Sequence, residues 1–231
     1  MSFEWAIVDT ETTGLQDPIH IIEIAAQRMR GFKAVGDPFH GYLNHSVRIP
    51  ADAIAVHGLT ETFIRRNGLD PRKVHNNFEQ YLGNRPFAAH NLSYDLKCIN
   101  TERRRLGLTG KLNGELCTML LSRRILPELK SVRLETLKKY FRIKAKSHRA
   151  DSDVKIVARL FEQVFSRRLE LLKVNTWDSL KKLSRASPVA LHHELIKKEM
   201  GIRSFPTLQV TRKKESSIMK FLYQMISISK K

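Results

Sequence analysis

Three short segments of this sequence place carboxylates and histidines where they could act together on a substrate. The first is an Asp-x-Glu pair, Asp9 and Glu11, at the end of an apolar segment that is predicted to be a β-strand. Residues i and i+2 of a strand point to the same face, so the two carboxylates are expected side by side. Such a pair repels unless a cation lies between its members, and oxygen ligands suit Mg²⁺ or Mn²⁺. Without further support, the same pattern is more often a strand that ends in two solvated acids.

The second and third segments each place an acid near the start of a predicted helix. Asp95 follows His90 and Asn91 and would lie in the first turn of its helix, where the helix dipole favours a carboxylate. His148 precedes another helix, and Asp153 lies about one and a half turns further along the chain. A helix-start acid or a surface histidine would explain each feature alone, so the combination carries the argument.

The elements around these segments predict an α/β architecture. The predicted strands are short and apolar, and they cover residues 3–8, 19–30, 39–43, 86–90 and 115–117. The predicted helices have apolar residues at spacings of three and four, and they cover residues 50–56, 60–66, 70–82, 92–106, 119–126, 134–141 and 148–165. An opening antiparallel meander followed by alternating strands and helices predicts a mixed sheet flanked by helices.

The chain is predicted to have two parts that differ in charge. Residues 1–166 contain these strands and helices and suit one domain. Residues 167–231 form a basic, mostly helical extension with 15 Lys and Arg against 5 Asp and Glu. Its helices are expected at residues 176–185, 187–200 and 216–228. Their apolar residues suit either a small packed subdomain or a docking surface for another protein.

The composition indicates a polyanionic partner. The 231-residue chain carries a net charge of +18 at pH 7, with 41 Lys and Arg against 23 Asp and Glu. Nucleic acid is expected ahead of an anionic membrane or an acidic protein, because each neutralised phosphate releases counterions. The sequence has two cysteines, no visible secretory signal and no apolar run near the ~20 residues of a membrane span. A cytoplasmic protein with no membrane partner is therefore expected.

Taken together and in this order, the three motifs resemble the DEDDh branch of the DnaQ-like 3′→5′ exonucleases. That family carries D-x-E, H-N-x-x-[FY]-D and H-x-A-x-x-D. The matching positions here are Asp9, Glu11, His90, Asn91, Tyr94, Asp95, His148, Ala150 and Asp153. A secondary match runs from Val56 to Thr60, and the resemblance spans residues 3–166. The family includes the epsilon proofreading subunit of bacterial DNA polymerase III and free-standing enzymes such as exonuclease X, and the motifs do not choose between them.

The resemblance implies an RNase H-like fold and a reaction that removes terminal nucleotides of DNA as 5′-monophosphates. It implies two divalent ions, Mg²⁺ or Mn²⁺, held by Asp9, Glu11, Asp95 and Asp153. His148 would take the proton from the attacking water, a role that suits an ordinary imidazole, which titrates near pH ~6.5. Residues near these motifs are candidates for substrate contacts, and they are Thr12, Leu15, His57, His90 and Asn91.

Several alternatives stay open at the level of the sequence. RNA could replace DNA as the substrate, because exoribonucleases of the family share the catalytic set. Residues 167–231 could bind a DNA polymerase or another protein, or they could form a basic patch for nucleic acid. An inactive binding module is disfavoured because all five acid and histidine positions are filled. Basic side chains that could follow the phosphate backbone include the arginine run at residues 103–105 and, beside the catalytic histidine, Lys144, Lys146 and Arg149.

Overall fold

An opening group of strands is followed by alternating strands and helices in residues 3–110, 112–145 and 148–187, which are the residues that the computed structural model describes. The strands are β1 (Glu4–Thr12), β2 (Ile21–Arg30), β3 (Lys33–Ala34), β4 (Phe39–Tyr42), β5 (Phe87–Ala89) and β6 (Gly114–Cys117). The helices are α1 (Ala51–His57), α2 (Glu61–Asn67), α3 (Pro71–Leu82), α4 (Leu92–Arg105), α5 (Thr118–Ile125), α6 (Leu134–Tyr140), α7 (Ala150–Leu160), α8 (Ser166–Leu171) and α9 (Trp177–Arg185). A π-helical turn, Phe161–Phe165, joins α7 to α8.

The strands form one mixed sheet in the order β3-β2-β1-β5-β6, with β4 also paired to β2. The β1–β2, β2–β3 and β2–β4 pairs are antiparallel, whereas β1–β5 and β5–β6 are parallel. The predicted mixed sheet flanked by helices is therefore confirmed. The sequence pattern did not predict β3, because a two-residue strand is too short to show any alternation.

The central strand β1 has a core on each side. Its Trp5 and Ile7 pack in one apolar cluster with α5, α7 and α9, whereas Ala6 and Val8 pack in another with α3 and α4. Burying an aliphatic or aromatic side chain fully, as at Ile7, stabilises the fold by roughly 1.5–3 kcal/mol. Because side chains alternate along a strand, Asp9 continues the face that α7 covers.

Two predicted boundaries were wrong in ways that affect the site. Strand β1 continues past Val8 to Thr12, because its pairing with β2 extends over the polar residues. Helix α7 begins at Ala150 rather than at His148, since His148 has a left-handed φ of 59° and Arg149 is extended. The two carboxylates of the first motif therefore lie inside a paired strand, and His148 lies outside the helix.

The first part of the basic extension packs on the core described above. Leu169 of α8 and Leu180 of α9 are buried in the cluster that contains Trp5. Helix α9 confirms the helix predicted at residues 176–185, and the side chain of Thr176 caps it. The helix predicted at residues 187–200, apart from its first residue, and the one predicted at 216–228 lie outside the described residues. The domain boundary after residue 166 stays a prediction. None of the helices in the described ranges is both long and apolar enough to cross a membrane.

Candidate active site

Carboxylates from β1 and α7 meet at the carboxyl-terminal half of β1. Asp9, Glu11 and Asp153 each offer an oxygen, and these oxygens lie within 4.8 Å of one another. Oδ2 of Asp153 accepts a hydrogen bond from the backbone N–H of His148 at 3.2 Å. Oδ1 of Asp153 is buried and has no hydrogen-bond partner in the described part of the chain. A buried carboxylate oxygen without a partner is unfavourable unless a cation or a donor satisfies it.

The fourth predicted acid, Asp95, approaches this group from α4. It is buried in the first turn of the helix, and its Oδ1 accepts a hydrogen bond from the Thr10 hydroxyl at 2.8 Å. Thr10 lies between Asp9 and Glu11 on β1 and, by strand alternation, points to the opposite face. Asp95 is close enough to Asp9 for its charge to raise the pKa of that carboxyl group. The structure thus brings the four predicted acids together, three of them in the close group.

Burial raises the pKa values of these acids, and nearby negative charges add to the effect at Asp9, Glu11 and Asp153. Burial is the main cause, and it raises the pKa of Glu11 to about 8. It likewise raises the pKa of Asp95 and of Asp153 to about 7. The pKa of Asp9 is raised well above its ordinary range by burial and then by the charges of its neighbours. Without a cation, the group therefore retains protons near neutral pH.

The donor set fits a divalent metal ion. The close group supplies oxygen ligands alone, which Mg²⁺ and Mn²⁺ prefer. The unpartnered Oδ1 of Asp153 and the raised pKa values of Glu11 and Asp153 indicate missing positive charge. The residues that could hold such ions are Asp9, Glu11, Asp95 and Asp153.

A buried carboxylate on β2, Glu23, fixes the segment that carries His148. Its oxygens accept hydrogen bonds from Nη2 of Arg149 at 2.9 Å and from the backbone N–H of Ala150 at 3.0 Å. Nε2 of His40 lies 2.7 Å from Oε1 of the same carboxylate. Burial alone would raise the pKa of Glu23, but the hydrogen bonds from His40 and Arg149 hold it below its ordinary value. Glu23 is thus an anion that anchors the first turn of α7 to the sheet.

The backbone of His148 is bonded to one of the acids, and its ring is open to solvent near Glu135. Its side chain is 52% exposed, and Nε2 is 3.9 Å from Oε1 of Glu135. The backbone N–H of His148 is the group bonded to Asp153, so the histidine and the acid are positioned as a unit. A water molecule and a phosphodiester can therefore both reach the imidazole.

The turn after β1 is tied to α4 and presents an apolar side chain to solvent. The Thr12 hydroxyl lies 2.7 Å from the hydroxyl of Tyr94, which donates to the carbonyl of Gly14 at 3.1 Å. Gly14 has a φ of 124°, a conformation that side chains rarely permit. Leu15, the next residue, is 81% exposed. Thr12 and Leu15 are thus held at the edge of the acids, where they were predicted to contact a terminal nucleotide.

Two other predicted contacts, His57 and Asn91, retain unused polar groups. His57 is buried, its Nδ1 accepts from the backbone N–H of Leu59 at 3.0 Å, and its Nε2 has no partner among the described residues. Burial lowers the pKa of His57, opposed by the charge of Glu23 and by the backbone of Thr12, so the ring lies near the end of β1. Asn91 is exposed and has a left-handed φ of 92° immediately before α4.

His90 is engaged within the fold. Its Nδ1 lies 3.0 Å from the Thr118 hydroxyl, and its Nε2 lies 2.9 Å from the carbonyl oxygen of Val132. Burial lowers the pKa of His90 to about 4, so the ring stays neutral at physiological pH. Both nitrogens thus hold neighbouring segments in place, and a direct contact of His90 with substrate stays a prediction.

Sequence reasoning missed Glu23 and misjudged two arginines. Arg149 was predicted to contact phosphate, but its guanidinium bonds to Glu23 and to the Tyr42 hydroxyl. Arg103 is 2% exposed and bonds to Glu79 at 2.9 Å. Lys144 is exposed, and Lys146 lies outside the described residues. A signal for Glu23 was available, because a charged residue inside the apolar run at residues 21–26 must have a buried partner.

Fold and site together define a class of protein. A mixed sheet that carries clustered acids at the end of its central strand, with an exposed histidine whose backbone is bonded to one of them, is suited to metal-assisted hydrolysis of phosphodiesters. The family described as Exonuclease (RNase_T) matches residues 6–161. The chain belongs to this family, and the predicted membership of the DnaQ-like 3′→5′ exonucleases is confirmed.

Curated relatives include large bacterial polymerases. The chain is 29% identical over 229 residues to a DNA polymerase III PolC-type of Caldanaerobacter subterraneus subsp. tengcongensis, a match that covers 98% of the chain and 15% of the polymerase. It is 32% identical over 179 residues to the protein of the same name from Listeria welshimeri, which covers 76% of the chain and 12% of the relative. The chain thus spans only a small part of the length of these relatives.

Solved structures with a similar fold are exonucleases. The structure of exonuclease X in complex with 5′ overhanging duplex DNA has a TM-score of 0.56 and 26% identity, covering 78% of this chain and 99% of that one. E. coli exonuclease I in complex with a dT13 oligonucleotide has a TM-score of 0.65 and 18% identity, covering 74% of this chain and 43% of that one. The predicted RNase H-like fold is therefore confirmed.

Proposed function

We propose that this protein is a metal-dependent 3′→5′ exonuclease that removes nucleotides from single-stranded or frayed 3′ ends of DNA. The observation that carries the proposal is the group of Asp9, Glu11 and Asp153 oxygens, which lie within 4.8 Å of one another. The backbone N–H of His148 bonds to Asp153, and the His148 side chain is 52% exposed. The proposal places the enzyme in the cytoplasm, in proofreading or repair. Its cysteines, Cys98 and Cys117, are free thiols, which favours a reducing compartment.

The proposed reaction is hydrolysis of the terminal phosphodiester, with water as the nucleophile. Two divalent ions held by Asp9, Glu11, Asp95 and Asp153, Mg²⁺ or Mn²⁺, would make the attacking water more acidic and offset charge on the leaving 3′-oxygen. The water oxygen bonds to phosphorus, the bond from phosphorus to the 3′-oxygen breaks, and a nucleoside 5′-monophosphate leaves. The shortened strand retains the 3′-oxygen, which takes up a proton.

His148 is the proposed general base. Its imidazole would take the proton of the attacking water, since the ring is exposed and its backbone is fixed to Asp153. Glu23 positions this base through Arg149 and the first backbone N–H of α7. Leu15 and the backbone around Thr12 are proposed to hold the terminal nucleotide, since that turn is fixed to α4 and its leucine is exposed.

DNA is the proposed substrate, ahead of RNA. The structure of exonuclease X, with 26% identity, is described as a complex with duplex DNA, and the polymerase relatives are DNA polymerases. The net charge of +18 suits either nucleic acid. The choice between the two sugars is therefore part of the proposal that needs a direct test.

The test compares 5′-labelled single-stranded DNA with RNA of the same sequence. The full-length protein is incubated with each strand in Mg²⁺, in Mn²⁺ or in chelator, and products are separated on a denaturing gel. A ladder that shortens from the 3′ end only with metal, and faster on DNA, is expected. His148→Ala should reduce the rate by ~10²–10⁴-fold, the usual contribution of a general base. Asp153→Asn should leave no detectable ladder.

Asp151→Asn is the matched control, because Asp151 lies on the same helix two residues from Asp153 and pairs with Lys155 at the surface. It should digest DNA at nearly the wild-type rate. Equal digestion by the wild type and Asp153→Asn would contradict the proposed site. Faster digestion of RNA would keep the site but replace the substrate.

A second candidate function is excision in partnership with a DNA polymerase. The similarity to the PolC-type polymerase covers 98% of the chain, so it extends beyond residue 161, where the exonuclease family match ends, into residues 167–231. We propose that these residues contribute to such an association. The test measures removal of a mismatched 3′ nucleotide from a primer with and without a replicative polymerase. A rate that the polymerase does not change, together with separate elution of the two proteins, would contradict the association.

A further inference from the structure

A second group of metal-ligand side chains lies at the start of β2, apart from the acids of β1. His20, His45 and Glu102 each offer one ligand atom, and these atoms lie within 4.8 Å of one another. His20 immediately precedes β2, His45 follows β4, and Glu102 lies near the end of α4. Three segments that are distant in sequence thus converge with two imidazoles and one carboxylate.

One pair of these atoms, from His45 and Glu102, already has the spacing of two zinc ligands. Nε2 of His45 is 3.2 Å from Oε2 of Glu102. Two ligands of a tetrahedral zinc ion, each ~2.0–2.1 Å from the metal, lie about 3.3 Å apart. The ring of His20 packs against that of His45 with centroids 4.7 Å apart, and Nδ1 of His20 is buried without a partner in the described residues. A small movement of His20 would complete the set.

The carboxylate of Glu102 is oriented from outside the group. Nε2 of the fully buried His75 lies 2.9 Å from Oε1. The backbone N–H of Ile21 donates to Oε2 at 2.7 Å. Glu102 is itself 1% exposed, so its negative charge depends on these partners. Outer hydrogen bonds that fix a carboxylate ligand are typical of protein metal sites.

We propose that His20, His45 and Glu102 bind one Zn²⁺ ion, with His75 as the outer partner of Glu102. Zinc suits mixed imidazole and carboxylate ligands, whereas Mg²⁺ prefers oxygen ligands such as those of β1. A surface pocket of about 500 Å³ is lined in part by His45. A water molecule would complete four-coordination.

The bound ion would join α4 to the turn that carries Leu15. The backbone carbonyl of His20 accepts from the N–H of Thr13, and the N–H of His20 donates to the Thr13 hydroxyl. Fixing His20 therefore fixes the far end of the turn that begins beside the catalytic acids. The zinc ion has a structural role in this proposal and takes no part in hydrolysis.

Two features must change when the ion binds. Nη2 of Arg105 is 3.6 Å from Oε2 of Glu102, and this cation opposes the metal. The Arg105 side chain is 32% exposed, and it would have to give up the hydrogen bond that its Nη2 donates to the Ile19 carbonyl in order to turn toward solvent. Nε2 of His45 lies 3.0 Å from the carbonyl of Ile21, so the ring must carry its proton on Nδ1 to ligate. A third group, Glu23, His40 and Asp151, is not a comparable site, because the Arg149 guanidinium bonds to both oxygens of Glu23 and already neutralises its charge.

Cobalt spectroscopy on the full-length protein tests the site. Excess Mg²⁺ occupies the oxygen ligands of β1, and Co²⁺ is then added up to two equivalents. Tetrahedral Co²⁺ absorbs visible light strongly, whereas octahedral Co²⁺ among carboxylates absorbs weakly. We expect strong absorption that saturates at one ion per chain and disappears when Zn²⁺ displaces the cobalt. A weak octahedral spectrum in the wild type would overturn the proposal whatever the variants do.

His20→Asn is the informative variant, because Nδ1 of His20 has no partner to lose in the described structure. It should lose the strong absorption and bind Zn²⁺ more weakly by at least the ~10–100-fold that the loss of an outer partner costs. Glu102→Gln should behave in the same way, and circular dichroism checks that each variant is folded. Asp153→Asn is the control that alters the β1 acids, and it should keep the absorption. Strong absorption retained in folded His20→Asn would also overturn the proposal.

Discussion

At the scale of single residues, the acids beside β1 are arranged for a cation at the expense of stability. The oxygens of Asp9, Glu11 and Asp153 lie within 4.8 Å of one another, and burial raises the pKa of all three. The charges of neighbouring acids raise it further. A neutral or apolar group would be more stable at these positions in the absence of metal. Sites that bind and react commonly oppose stability in this way.

We expect Asp153→Asn to raise the melting temperature of the metal-free protein while it abolishes cleavage. The substitution removes one charge from the group, and the amide oxygen can still accept from the backbone N–H of His148. A gain on the order of 2 kcal/mol corresponds to roughly 4–8 °C for a chain of this size. Thermal unfolding in chelator at pH 8 measures the change, and a melting temperature at or below that of the wild type contradicts it.

The same acids should make the stability of the metal-free protein fall as pH rises. Their folded pKa values, about 7 for Asp95 and Asp153 and about 8 for Glu11, lie above the ordinary values of 3.8 and 4.5. The folded state thus binds more protons than the unfolded state between these limits. The contribution of these acids to the free energy of unfolding is complete below their ordinary pKa values. It is lost as pH rises through their folded pKa values.

Mg²⁺ must displace these protons, so it should raise the melting temperature more at pH 8 than at pH 6. The Mg²⁺ concentration that gives half of the maximal rise in melting temperature should also be lower at pH 8 than at pH 6. Titration of Mg²⁺ during thermal unfolding at both pH values measures this. Asp153→Asn should reduce the difference, and equal shifts at the two pH values would contradict the linkage.

At the scale of elements, the position of α7 over β1 depends on the buried carboxylate of β2. Glu23 bonds to Arg149 and to the first backbone N–H of α7, at Ala150, and these two residues immediately follow His148. The small residues Ala25 and Ala150 are fully buried, which lets helix and sheet approach closely. An ion pair between two elements thus holds the segment that carries the proposed catalytic residues His148 and Asp153.

We expect Glu23→Gln to reduce stability by about 2–4 kcal/mol, because breaking a buried ion pair leaves one charge without compensation. The rate constant for cleavage should fall as well, since His148 and Asp153 lose their anchor. Urea unfolding and single-turnover digestion measure the two effects.

Glu4→Gln is the matched control for that substitution. Glu4 pairs with two arginines, Arg30 and Arg85, but its ion pairs are more exposed and neither arginine lies on a helix. Exposed ion pairs contribute little, so its loss of stability should be much smaller and its cleavage rate unchanged. Equal losses in the two variants would show that burial of Glu23 does not matter.

At the scale of the whole molecule, positive charge is concentrated toward the carboxyl end. Residues 167–231 contain 15 of the 41 Lys and Arg. A basic segment of this kind increases affinity for any phosphate backbone and makes that affinity depend on salt. It can serve the proposed nuclease whether or not a polymerase also binds there.

We expect the triple substitution of Arg212, Lys213 and Lys214 by Ala to weaken binding of single-stranded DNA mainly at low salt. Each lost phosphate contact should reduce the slope of log affinity against log salt concentration by about 0.7, so by up to about 2 in total. Fluorescence anisotropy with Asp153→Asn as the background avoids digestion. Replacing the adjacent Ser216 and Ser217 by Ala is the uncharged control, and an unchanged slope in the triple variant would exclude these residues from DNA contact.

The sequence determined the elements and the chemistry of the acids, because both depend on short-range patterns. Strand alternation placed Asp9 and Glu11 on one face, helix-start signals placed Asp95 in the first turn of α4, and the capping Thr176 marked the start of α9. Each of these features depends on neighbours within a few positions along the chain. The ordered motifs then gave the exonuclease family.

Tertiary structure alone decided how side chains from distant segments are paired. In the fold, Arg149 bonds to Glu23 rather than being left free for a phosphate, and both ring nitrogens of His90 have partners. His45 lies beside Glu102. These contacts join residues that are 28 to 126 positions apart in the sequence. Which residues meet depends on how the helices and strands pack. A local pattern can show that a buried charge needs a partner, but only the fold determines which residue that partner is.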